Sequence, residues 1–156
     1  MSSDVALRKH LVDQLQAGHA HVALTKAVEG WVPALRGVRP PGANHSAWEL
    51  LEHLRISQSD ILEFCRDATH VSPEFPDGYW PESPESPSES GWEESIAQFE
   101  RDLLAMQSLV GDPENDLYAR FPHGDGQTLL RESLVLASHN GYHTGQLMTL
   151  RKILGV

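Results

Sequence analysis

His139 and His143 stand four residues apart, so on a helix they project from one face, one turn apart. Two imidazoles placed in this way reach one ion at about 2.0–2.1 Å each. The same face continues through Leu136, Leu147, Leu150 and Leu154, which turns the pair towards a core. His53, beside Leu50 and Leu54, supplies a third inward imidazole from another helix. Three neutral histidines leave one coordination position open for water or substrate, as in catalytic rather than closed structural sites. Imidazole suits zinc, nickel, iron and copper alike, so the donor set calls for a divalent transition metal without naming it. The competing reading is of ordinary buried histidines, each with its own hydrogen-bond partner. The pair alone would not separate the two readings, and the third inward histidine favours the metal.

Glu49 lies one turn before His53 on the same face, where it could act as a general base or orient a ligand histidine. It is equally the N3 acid of a capping box, Ser46-Ala-Trp-Glu49. Asn140, Tyr142 and Gln146 are further candidates for the ligands' outer partners. The other histidines fit less well. His19 and His21 point to different faces of a helix, and His10, His45 and His70 read as surface or end positions. His123 belongs to the loop before the last helix. Cys65, about 18 Å along the helix from His53, is out of reach and reads as a small buried hydrophobe.

Four helical patterns must position these groups. The first spans about Asp4 to Glu29 on Leu7, Leu11, Leu15, Val22 and Val28, with Gly30 as its stop. The second runs from Ser46 to about Thr69, with Leu50, Leu54, Ile61 and Phe64 inward. The third starts from a second capping box, Ser90 to Glu93. It carries Trp92, Ile96, Phe99, Leu103, Met106 and Val110 before Gly111 and Pro113 stop it. The fourth runs from about Thr128 to Leu154, with Gly155 as the stop. His53 is about 10 Å into its helix, and the 139/143 pair is about 16–22 Å from the end of the last one. If those helices run antiparallel, the three imidazoles fall within about two turns of one level. Gly141 and Gly145 cost about 1 kcal/mol each against alanine in a helix, so a small-residue strip there is expected to receive a neighbouring helix or a second subunit.

Residues 70–91 hold five prolines, five serines and four glutamates, which suits a long connection rather than helix or central strand. A loop of that length in a compact domain is functional or disordered. Residues 112–127 carry a short extended run, Leu117 to Phe121, and then a turn-rich Pro-His-Gly-Asp-Gly.

The chain has 156 residues, enough for one domain over 1–156 with a self-sufficient core. One cysteine excludes an internal disulfide framework and suits a reducing compartment. No apolar stretch approaches the roughly 18 residues that cross a bilayer, and MSSDVALRKHL lacks the pattern of a signal peptide. A cytoplasmic protein without membrane partners is expected. With 22 acidic against 12 basic residues, a net charge of −10, nucleic acid is not an expected partner.

Trp48-Glu-Leu-Leu-Glu-His53-Leu-Arg-Ile-Ser-Gln58, followed later by His139-Asn-Gly-Tyr-His143-Thr-Gly-Gln-Leu and Leu150-Arg, resembles the DinB/YfiT-like superfamily. The resemblance covers nearly the whole chain, including the His123-Gly-Asp-Gly-Gln-Thr approach to the last helix. It implies an all-α four-helix bundle of up-down-down-up topology, with a long crossover between helices 2 and 3. Residues 70–91 are long enough for that crossover, at about 3.3 Å per residue. It also implies metal ligands at His53, His139 and His143, and often a homodimer. Relatives of this kind include thiol-dependent transferases, a maleylpyruvate isomerase and hydrolase-like resistance proteins. A metal-dependent S-transferase acting with a low-molecular-weight thiol on a small-molecule substrate is therefore the first expectation. Arg55 or Arg151 would offer local positive charge, and Trp31 and Trp80 would stand at a pocket mouth. A metal-dependent hydrolase, or a non-catalytic stress-related bundle that binds metal or ligand, is the alternative.

Overall fold

Short polar side chains start the long helices of this chain, and they do so where the apolar stripes begin. The computed structural model describes residues 3–156, which form six α-helices and no strand. α1 is Ser3–Gln16, α2 Leu24–Val28, α3 Pro33–Arg36, α4 Ala47–Arg66, α5 Glu89–Gly111 and α6 Leu129–Leu154. A 3₁₀ turn at Asp77–Tyr79 interrupts the connection between α4 and α5. The extended run before α6 yields a single antiparallel bridge, Arg120 to Thr128. Among the described residues, no helix is long and apolar enough to cross a membrane.

α4 opens on the expected capping box. The Ser46 hydroxyl accepts from the Glu49 N–H at 3.2 Å, and the Glu49 carboxylate accepts from the Ser46 N–H at 2.8 Å. Ser46 also donates to the Pro84 carbonyl at 2.6 Å, which ties the long connection to the start of α4. α6 is capped by Thr128 and ends on Gly155 in the left-handed region, as its sequence predicts.

Two expected boundaries are corrected. The first helix does not continue to Glu29: Ala17 at φ 63° and Gly18 at φ 93° turn the chain out after Gln16. The apolar stripe has no member between Leu15 and Val22, so nothing holds a helix across the gap, and Val22 is exposed. α5 starts two residues early, capped by Ser88 through the Gly91 N–H at 3.0 Å, not by a Ser90 box. Ser88 is the first hydroxyl after Pro87, so it meets the free N–H groups first.

α4 packs against α5 and α6, and α1 packs against the same two helices; α2 lies on α6 and α3 on α4. The apolar interior falls into two clusters. One gathers Trp31, Trp48, Leu51, Leu54, Trp92, Phe99, Leu147 and Leu150; the other gathers Leu11, Leu15, Leu62, Met106, Leu117 and Leu136. Along α4 the change from one to the other falls between Leu54 and Leu62, and along α6 between Ala137 and Leu147. The buried polar residues Gln58, Asn140 and Thr144, together with His139 and His143, occupy those gaps.

The small-residue strip on α6 has two different neighbours. A Cβ at Gly141 would come within 2.8 Å of His21 Nε2, so the turn after α1 uses the missing side chain. At Gly145 a Cβ would meet no atom within 4 Å, so no helix of this chain packs there. Gly145→Ala is therefore expected to stabilise the protein by about 0.5–1 kcal/mol through helix propensity. Urea unfolding checks this, and a loss of stability would show that a second subunit covers the strip. Ser46→Ala is expected to cost about 1–2 kcal/mol in the same measurement, since it removes the cap and the tie to Pro84.

Candidate metal centre

The capping box fixes where α4 begins, and two turns further on its inner face carries His53, buried beside Leu50 and Leu54. α6 presents His139 and His143 to it from one face. The three imidazoles meet at their Nε2 atoms: His139 to His53 is 3.0 Å and His53 to His143 is 3.1 Å. The ring centroids lie 4.5–4.9 Å apart, tilted or edge-on to one another rather than stacked. Each offers one nitrogen to a common point, with all three within 4.8 Å of one another. The expected meeting of the three imidazoles across the two helices is thus realised.

The opposite nitrogens show why the Nε2 atoms are the free ones. His53 Nδ1 lies 2.8 Å from the Tyr79 carbonyl, which can only accept, so that nitrogen carries the hydrogen. His143 Nδ1 lies 2.7 Å from Gln146 Oε1. The Asn140 side chain reaches His139 closely enough to favour its protonated ring, but no well-aligned bond joins them. Instead His139 Nδ1 and Asn140 Oδ1 are both buried without a partner.

The long connection covers this centre. Trp80 is stacked on His53 at 3.9 Å and 3°, and its other neighbour His45 is stacked on it at 3.9 Å and 11°. Asp60 on α4 anchors the segment, accepting from the Tyr79 hydroxyl at 2.7 Å and approaching His70 Nε2 at 2.8 Å. Beside the centre runs a cleft of about 340 Å³, lined by His45, Tyr142, Gly145, Gln146 and Ile153 among others, with no Lys, Arg, Asp or Glu on its wall.

Other expected site groups are engaged elsewhere. The Glu49 carboxylate accepts from Ser46 and from both Nε (2.7 Å) and Nη2 of Arg39. Burial raises its pKa, but Arg39 and Ser46 outweigh burial and hold it below the usual carboxylate value. Arg55 pairs with Glu52, and Arg151 donates to the carbonyls of Ala27 and Glu29. Trp31, in the connection between α2 and α3, is a core residue 6.4 Å from Trp92 and does not line the cleft beside the imidazoles. His123 lies against the Phe64 carbonyl, away from the centre. Cys65 is half-buried, and that desolvation pushes its thiol up to about 12.

Sequence reasoning named the three imidazoles and Gln146, Tyr142 and Asn140, but missed His45, Asp60, Gln58 and the partnership of Tyr79 with His53. Gln58 had a signal, being a polar side chain on an apolar face between Leu54 and Ile61. The Tyr79 carbonyl had none, since any residue supplies one.

A family model for the DinB superfamily matches residues 16–147, a span that holds all three imidazoles. The chain belongs to the DinB superfamily. No curated protein and no solved structure shows significant similarity to it. The donor set of this DinB superfamily protein fits a divalent transition metal. With the hydrogens of His53 and His143 held on Nδ1, two lone pairs face the third imidazole in a buried space, which suits a cation.

The same environment disfavours protons. Burial lowers the pKa of His53, and it lowers both His139 and His143 to about 4. In the unfolded chain these groups titrate near 6.5. Between those values the unfolded state binds more protons, so the stability of the metal-free protein should rise with pH from about 4 to 6.5 and then level. Urea unfolding of chelator-treated protein across that range checks it, and His139→Gln should flatten the slope.

Proposed function

We propose that His53, His139 and His143 hold one divalent transition-metal ion and that the protein is a metal-dependent S-transferase using a low-molecular-weight thiol. The convergence of three Nε2 atoms, with two of the outer nitrogens held on acceptors, carries the metal part of this reading. A bound ion supplies positive charge that favours the thiolate form of a sulfhydryl at neutral pH. Zinc, nickel and iron all suit the imidazoles.

The thiol has to come from outside the chain. Cys65 is the only cysteine, and its burial holds it protonated. The uncharged cleft beside the centre is suited to a small neutral electrophile, with Leu50 and Leu150 against its apolar part and Asn44, Gln146 and Thr149 for its polar part. Transfer is favoured over hydrolysis because, among the described residues, no carboxylate hydrogen-bonds to the three imidazoles to serve as a base for water. Glu49 in this reading fixes the start of α4 and hence the height of His53. The helix pairing supports the up-down-down-up four-helix bundle, with α1 and α4 each against both α5 and α6.

Elemental analysis of tag-free protein is expected to give about one divalent ion per chain in the wild type and a large loss in His143→Ala. Near-zero metal in both would remove the reading. Metal-loaded protein is then expected to consume a neutral electrophile only when a thiol is added. Turnover at the same rate without thiol would assign it to the hydrolases instead.

A further inference from the structure

Gln58 is fully buried on α4, and its amide bridges the two helices on either side. Its Nε2–H donates to the Phe99 carbonyl of α5 at 2.6 Å. Its Oε1 accepts from Asn140 Nδ2–H of α6 at 3.0 Å. The direction of this chain is not free. A backbone carbonyl only accepts, so the NH₂ of Gln58 must face Phe99 and its oxygen must face Asn140. The NH₂ of Asn140 must then face Gln58, which leaves its Oδ1 as an acceptor on the other side. That oxygen is buried without a partner, and the adjacent His139 Nδ1 is in the same condition.

We propose that Gln58 and Asn140 are positioning residues that carry the polarity of the Phe99 carbonyl through three helices to His139. They keep its hydrogen on Nδ1 and leave Nε2 free to bind an ion. His53 and His143 have their own acceptors in the Tyr79 carbonyl and Gln146. Asn140 Oδ1 is the acceptor that the relay leaves beside the third imidazole; its pairing with Nδ1, which this structure does not show as an aligned bond, would complete three ligands with three outer acceptors. The purpose of the relay rests on the metal reading, whereas the tautomer of His139 does not. Nothing else holds that ring in one state, because its Nε2 could donate to His53 at 3.0 Å if the hydrogen moved.

Long-range ¹H–¹⁵N NMR of the metal-free protein reads the tautomer, and competition with a chromogenic chelator reads the zinc Kd. The wild type is expected to show His139 with its hydrogen on Nδ1. Asn140→Leu removes the acceptor, and it should lose that single tautomer and bind zinc about 10–100-fold more weakly. If the leucine variant does not fold, Asn140→Ala makes the same test with no added bulk. An unchanged tautomer in the leucine or alanine variant overturns the proposal, even where zinc binding weakens, since the residue then acts through packing alone. A wild type with the expected tautomer, lost in those variants, that binds no zinc upholds the relay and overturns the metal reading.

Discussion

Three imidazole nitrogens, two of them with the ring hydrogen held on the opposite side, cannot meet around His53 Nε2 at 3.0 and 3.1 Å inside a protein without compensation. That constraint organises the interior. It explains why the helices that bring the imidazoles together also carry polar side chains in register. Gln58 and Asn140 sit on the same level of α4 and α6 as the pair 139/143, and the long connection returns to deliver a carbonyl to His53. A purely apolar layer at that level would leave the outer nitrogen of His143 without its Gln146 acceptor.

The bundle therefore reads as two apolar blocks with a polar layer between them. The tryptophan-rich block surrounds the starts of α4 and α5, and the leucine-rich block surrounds the other half with α1. Each is bound by ordinary burial and tolerates irregularity, as the break after Gln16 shows. The polar layer tolerates less. Its hydrogen bonds, from Gln58 to Phe99 and from Asn140 to Gln58, need one geometry, and helix register decides whether that geometry is reached. The capping of α4 by Ser46 and Glu49 is therefore a site property as well as a helix property.

Most of the helices were legible because their signals are local: a hydroxyl or glycine at each end and an apolar stripe between. The start of α4 and the whole of α6 needed nothing else. The first helix is shorter than its pattern suggests because, beyond Ala17 and Gly18, Val22 is exposed and Val28 joins the tryptophan block by a different path. The i, i+4 pair on α6 was legible for the same local reason, and His53 became so once two helix lengths were compared. Trp80 and His45 were not. Their contact is made by a loop whose path depends on tertiary anchors such as Asp60, and no spacing in the chain encodes it.

The Tyr79 carbonyl has one more consequence. It belongs to the main chain, so no substitution of residue 79 deletes the acceptor of His53; only a different loop path does. Trp80, next in sequence, lies flat on the same imidazole, so the loop holds His53 through a bond and a ring face at once. Through Tyr79 the Asp60 anchor therefore ties the orientation of one imidazole to the path of a segment more than twenty residues further along the chain.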